Sequence, residues 1–291
     1  MNDENKKPEE QNELSRRDFV AMGIAAGIAA AAGGASAADL QVVEKDVEIT
    51  TPDGTCNAAF IHPTSGSHPA VLIWSDAFGL RPALRDMGKR LAAQGYTVLV
   101  PNPFYRVTKD PKIDTATFDF AKNRDVIQPL MNSITADGAA EKDAVAFIAW
   151  LDQQKEVNKS KKIGTQGYCM GGPLVMRTAA SSARIGAGGS FHGGGLVTNN
   201  PNSPHLLAPK IHARMYFGVA KNDDERQPDS KDKLKAALDA AHVANKIEVY
   251  PANHGWCMTD MPAPANAPIY SKPDAERAWG ELLALYKQAL A

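Results

Sequence analysis

Lys162-Ile163-Gly164-Thr165-Gln166 is a short strand-like run, Gly167-Tyr168-Cys169-Met170-Gly171 follows it, and Gly172-Pro173-Leu174-Val175-Met176 can open a helix. Strand, tight turn and helix are the setting of a nucleophile elbow, here in the form G-x-C-x-G with Cys169 at its apex. The elbow is strained, and the backbone on either side must come close to the nucleophile. Glycine at 167 and 171 removes the side chains that would obstruct this. The same five residues also fit a glycine-rich turn around a buried structural cysteine, because free cysteine is among the most buried residue types. The rest of the chain has to separate the two readings.

Met215-Tyr216-Phe217-Gly218-Val219-Ala220 reads as a strand that runs into Lys221-Asn222-Asp223-Asp224 and so sets a carboxylate at its C-terminal end. Lys246-Ile247-Glu248-Val249-Tyr250-Pro251 reads as another, followed by Ala252-Asn253-His254-Gly255-Trp256. Nucleophile, acid, histidine is the chain order of α/β-hydrolases and differs from the orders of chymotrypsin-like and subtilisin-like enzymes.

On these residues the chain resembles the dienelactone hydrolase family, a cysteine branch of the α/β-hydrolases. The resemblance runs from about Val71-Leu72-Ile73-Trp74 to the C-terminal helix and is most specific at Gly167-Tyr168-Cys169-Met170-Gly171-Gly172. It implies an ester or lactone hydrolase with Cys169, Asp223 and His254 as nucleophile, acid and base, although the Asp223-Asp224 doublet leaves the acid open. It implies an oxyanion hole from the backbone N–H groups of Met170 and Ala77. Family members carry a carboxylate, commonly glutamate, after the first core strand, where it pairs with the resting thiol. Asp76 holds that place here and either pairs with the thiol or shapes a pocket for a substrate carboxylate. Of the family's substrate-holding arginines, one is matched by Arg106, while the position four beyond His254 is Met258.

Three further expectations concern the pocket. Trp74, Phe78, Phe104 and Trp256 flank the loops just named and form either an apolar acyl pocket or part of the core. His192-Gly193-Gly194-Gly195 resembles a lipase oxyanion motif but follows the nucleophile instead of preceding it. It reads instead as a glycine-rich loop on the pocket rim, with His192 in reach of substrate. The remaining histidines show no metal-ligand spacing, and the site residues imply neither metal nor cofactor.

The N-terminus carries Ser15-Arg16-Arg17-Asp18-Phe19, then an Ala/Gly/Ile run from Ala21 to Gly34 and the small-residue site Ala35-Ser36-Ala37. This is the pattern of a twin-arginine signal peptide over residues 1–37. It predicts a periplasmic protein, exported already folded by the twin-arginine machinery. The apolar run is short of the roughly 18 residues that span a membrane, so no stable anchor is expected after cleavage. Residues 38–291 then form one domain. Lys plus Arg number 32 against 33 for Asp plus Glu, with no basic run beyond the signal region. That balance excludes the electrostatic footprint of a nucleic-acid binder.

The resemblance implies an α/β-hydrolase fold, and the periodicities fit one: a mostly parallel central sheet with helices on both faces and an N-terminal antiparallel hairpin. Val42 to Thr50 and Thr55 to His62 alternate around Pro52-Asp53-Gly54 as that hairpin. Pro69 to Ser75 is a continuous apolar run suited to a strand buried on both faces. A helix from Pro82 to Gly95 leads to a strand at Tyr96 to Val100, which is the β-α-β alternation of a parallel sheet. Helices are expected at Glu141 to Leu151 and Asp274 to Leu290, a strand at Arg184 to Phe191, and a helix around Thr115 to Lys122 within an irregular stretch at 104–140.

Cys56, Cys169 and Cys257 are an odd set for an oxidising compartment, so at least one thiol is free unless chains pair. A second reading follows, a thiol-based redox or sensing protein in which Cys169 and Cys257 form a reversible pair. It leaves Asp223 and His254 without a purpose.

Overall fold

The computed structural model describes residues 40–261 and 269–290. The signal-peptide assignment at 1–37 lies outside the described residues. One eight-stranded sheet organises the chain. Strands β1 (Val42–Thr51) and β2 (Gly54–Pro63) form the expected antiparallel hairpin, closed at Gly54 with φ +136°. They are followed by β3 (Ala70–Trp74), β4 (Thr97–Pro101), β5 (Ile163–Tyr168), β6 (Ile185–Phe191), β7 (Arg214–Ala220) and β8 (Asn245–Tyr250). The spatial order is β1-β2-β4-β3-β5-β6-β7-β8, with β2 antiparallel to β4 and every later pairing parallel.

Strict alternation along the strands builds a core on each face. Ala70, Leu72 and Trp74 of β3 join one apolar cluster, and Val71 and Ile73 join the other. The first face is covered by α2 (Arg124–Thr135), α3 (Ala139–Leu151), α4 (Gly171–Ser181) and α6 (Ser230–Ala240). The second is covered by α1 (Pro82–Ala93) and α7 (Lys272–Ala289), through Leu84, Leu91, Leu282 and Tyr286. A single-turn α5 (Lys221–Arg226) follows β7. Because β3 and β4 are covered on both sides, all ten of their residues are buried. That is why they read as continuous apolar runs.

The irregular stretch departs from expectation. Residues 115–122 form turns, and the helix begins at Arg124. The side chain of Asp114 accepts the Ala116 N–H at 3.0 Å, and that of Asp119 accepts the Ala121 N–H at 2.9 Å. Such local bonds compete with the helical ladder. The α2 segment itself carries Pro129, which obscures it in sequence, but Ile127, Leu130 and Ile134 are buried along one side and hold it in place. Among the described residues, no helix is long and apolar enough to cross a membrane.

Candidate active site

The elbow is assembled by exclusion of side chains. A Cβ on Gly167 would lie 2.2 Å from the Gly171 carbonyl oxygen, one on Gly171 would lie 2.6 Å from the carbonyl oxygens of Trp74 and Ser75, and one on Gly172 would lie 2.5 Å from Gly193 Cα. The start of α4 is therefore wedged between the end of β3 and the loop after β6. Cys169 at the apex takes φ +51°, a left-handed conformation that costs an L-residue roughly 1–2 kcal/mol. Its N–H is held by the Phe191 carbonyl and by His192 Nδ1, each at 3.1 Å. The strand-turn-helix reading of the pentapeptide is what the backbone adopts.

The acid and the histidine come from the ends of β7 and β8. His254 Nδ1 and Asp223 Oδ2 are 2.6 Å apart, and the His254 N–H donates to Asn222 Oδ1 at 2.8 Å. Asp224, the other member of the doublet, turns away to Lys231 Nζ at 2.8 Å. Of the doublet, Asp223 is thus the member that pairs with His254. Burial works against a charged His254, yet the hydrogen bond to Asp223 and the nearby Cys169 sulfur push its pKa up to about 10. With Nδ1 engaged by Asp223, Nε2 is the ring nitrogen left to meet a nucleophile.

Met170 precedes the first turn of α4, where helix N–H groups lack intrahelical partners, and Ala77 sits buried in the loop after β3. That loop is braced by Asp76. Its Oδ1 accepts the Phe78 N–H at 2.9 Å, and its two oxygens receive Arg81 Nη1 and Nη2 at 2.7 and 2.8 Å. Arg81 also donates Nε to Asp260 Oδ2 at 2.6 Å and Nη2 to Asp260 Oδ1 at 2.9 Å. Asp76 is therefore committed to a guanidinium and not to the thiol, which corrects the pairing that the resemblance implied. The physical reason is burial: a carboxylate with 1% exposure requires a countercharge, and Arg81 supplies it through two hydrogen bonds. Arg81 and Asp260, which tie the Ala77 loop to the segment behind His254, were invisible in the sequence because no motif links positions 179 residues apart.

Arg106 also departs from its expected role. Nη1 and Nη2 bind the fully buried Asp143 at 2.8 and 2.7 Å, and Nε and Nη2 reach Asp53 at 3.1 and 2.8 Å. Its donors neutralise Asp143 instead of standing free as a substrate clamp. The aromatic residues follow the core reading. Trp74, Phe104 and Trp256 are 0% exposed and Phe78 is 2% exposed. Trp256 stacks on Tyr250 with centroids 4.8 Å apart, and Phe78 packs against Phe118 and Phe120 at 5.2 and 5.4 Å. His192 lies beneath the surface, 1% exposed, rather than on the rim.

All three cysteines are free thiols. Cys56 is buried against the Asn102 carbonyl, and burial pushes its pKa up to about 12. Cys257 packs with the α1 and α7 cluster and lines a cavity of about 180 Å³ beside Tyr168, Phe191 and Trp279, whereas Cys169 packs against the opposite cluster. No arrangement here pairs Cys169 with Cys257. Among the described residues, no group of three or more acidic, histidine or cysteine side chains is placed to hold a metal ion.

The parallel sheet with its elbow after β5 defines an α/β-hydrolase. A family model described as the dienelactone hydrolase family matches residues 56–290, and the chain belongs to that family. It is accordingly a hydrolase acting on esters or lactones. The Escherichia coli K12 protein provisionally named carboxymethylenebutenolidase is 26% identical over 230 residues, 77% of this chain and 79% of its own length. The carboxymethylenebutenolidase of Rhodococcus opacus is 29% identical over 132 residues, 44% of this chain and 46% of its own. The dienelactone hydrolase structure from Anabaena variabilis superposes with a TM-score of 0.61 at 16% identity, covering 86% of this chain and all of that one.

Replacing Asp223 by Asn is expected to lower kcat by about 10²–10⁴-fold, as when a triad histidine loses its orienting carboxylate. Asp224→Asn, which removes only a partly exposed pair, is expected to stay within about threefold of wild type. Stability should follow the same assignment. His254 is raised from an ordinary value of 6.5 to about 10, so its interaction with Asp223 stabilises the fold fully below pH 6.5 and is lost as pH rises through 10. Chemical denaturation across that window should show the gap between wild type and Asp223→Asn closing with rising pH; a constant gap would refute the assignment.

Proposed function

We propose that the protein cleaves carboxylic esters or lactones of the carboxymethylenebutenolide type through a Cys169-His254-Asp223 triad and a thioester intermediate. The 2.6 Å contact between His254 and Asp223, beside the elbow cysteine, carries the proposal. His254 takes the thiol proton and Asp223 stabilises the imidazolium. The thiolate forms a C–S bond to the carbonyl carbon, and the charge on oxygen is met by the N–H groups of Met170 and Ala77. The loss of one such donor costs about 3 kcal/mol. As the tetrahedral centre collapses, the C–O bond breaks and the alkoxide leaves with the proton of His254. Water then gives a proton to His254 and adds to the thioester, the C–S bond breaks, and the acid departs.

The substrate reading rests on the leaving group and on charge. A thiolate leaves more readily than an alkoxide, so attack on unreactive esters or amides reverses; activated esters and lactones are the substrates proposed. With Met258 four positions beyond His254 and Arg106 committed to Asp143 and Asp53, the two-arginine grip of an anionic lactone is missing. Neutral activated esters are accordingly turned over faster than the anionic lactone, which is still accepted. Reduced protein should hydrolyse p-nitrophenyl acetate faster than dienelactone, and Cys169→Ala should abolish both activities. Turnover that survives Cys169→Ala would refute cysteine acyl transfer.

We propose in addition that the chain is exported to the periplasm by the twin-arginine route, on the support of Ser15-Arg16-Arg17-Asp18-Phe19 and Ala35-Ser36-Ala37. Intact-mass measurement of periplasmic protein should give a chain that starts near Ala38. A cytoplasmic pool alone, retaining the N-terminal region, would contradict export.

A further inference from the structure

His192 is the second non-glycine residue of the site in the left-handed region, with φ +39°, and it is directly bonded to the first, Cys169. Strain of this kind persists only where surrounding structure enforces it, and it gathers at functional sites. The enforcement is visible. The His192 N–H donates to the Gly218 carbonyl of β7 at 2.7 Å. The ring is enclosed by His254 at 5.1 Å, Trp256 at 5.0 Å and Tyr168 at 5.9 Å between centroids. Nδ1 accepts the Cys169 N–H, which fixes the tautomer: the proton of the neutral ring is on Nε2. Nε2 is buried and has no hydrogen-bond partner among the described residues.

We infer that His192 is a positioning residue for the nucleophile, holding the Cys169 backbone through Nδ1 and setting the angle of the His254 ring that packs edge-on against it. This rests on the reading of Cys169 as the nucleophile. The Cys169 N–H would otherwise have only the Phe191 carbonyl to restrain it, and the side chain of a left-handed residue swings with its backbone. Burial, then the charge of His254, holds the His192 imidazole well below the usual histidine range. The ring therefore stays neutral beside the imidazolium that forms on His254. A protonated His192 would lose its acceptor for Cys169 and set two like charges against one another. The groups facing the ring are Cys169 and Tyr168 from the β5 end and His254 and Trp256 from the loop after β8, with Asp223 behind His254.

Three substitutions in the full mature chain test this. His192→Asn sets an amide oxygen where Nδ1 lies, His192→Gln sets its amide nearer the place of Nε2, and His192→Phe supplies neither. The readouts are kcat and KM for p-nitrophenyl acetate and the rate of Cys169 alkylation by iodoacetamide, followed on its peptide by mass spectrometry. His192→Gln and His192→Phe should lower kcat and the alkylation rate about 10-fold, the scale of losing one of the two hydrogen bonds that hold the Cys169 N–H, with KM nearly unchanged. His192→Asn should restore both to within about threefold of wild type. If Gln rescues and Asn does not, the ring acts through Nε2 and the inference is wrong. It is equally wrong if Asn, Gln and Phe give one common rate. Should His192→Phe fail to fold, the Asn and Gln pair still decides. Because alkylation requires no turnover, a wild-type protein inactive on esters, in which Gln slows alkylation and Asn does not, would refute acyl transfer while upholding the positioning role.

Discussion

The close fit of backbone against backbone at Gly167, Gly171 and Gly172 is the constraint from which the rest of the site follows. A single Cβ at any of the three would come within 2.6 Å of neighbouring backbone, so the chain has one way to leave β5 and enter α4. That path forces Cys169 into the left-handed region and lifts its side chain above the C-terminal edge of the sheet. The parallel order β5, β6, β7, β8 then delivers the ends of β7 and β8 to the same edge, and with them Asp223 and His254. Placement of catalytic groups at the C-terminal ends of parallel strands is the general habit of open α/β sheets.

Charge is arranged so that little of it is uncommitted around this edge. Arg81 divides its guanidinium between Asp76 and Asp260 and so fastens the Ala77 loop to the segment following His254. Arg106 serves Asp143, which is entirely buried, and thereby fastens the chain after β4 to α3. Both are networks in which loss of one partner would leave a buried charge uncompensated, a costlier change than loss of an exposed pair. They act on the scaffold of the site, and the family's carboxylate-holding arginines have no free equivalent at those two positions.

What could be read from sequence is what local pattern encodes. The elbow, the strands feeding it, and the strand-end positions of Asp223 and His254 were legible because glycine spacing, continuous apolar runs and chain order are one-dimensional signals. The helix after residue 123 was not, because Pro129 interrupts its pattern while Asp114 and Asp119 draw the preceding residues into turns. α6 fully buries Leu234 and Leu238 alone, with Ala237 packed beside them, and its many lysine, aspartate and alanine residues conceal that narrow face. Partners of buried charges were beyond reach for a different reason: Asp76 with Arg81 and Asp143 with Arg106 depend on three-dimensional proximity. His192 was noticed for its glycines, but its bond to the Cys169 N–H appears only when β6 lies beside β5.

The account stands on sulfur as the atom that carries the acyl group. Acid-quenching the reduced protein during turnover of p-nitrophenyl acetate, digesting it and mapping the adduct by mass spectrometry tests that most directly. The account predicts one acetyl group on the peptide containing Cys169, labile to hydroxylamine as a thioester. Steady turnover with the acetyl group on any other side chain would contradict it.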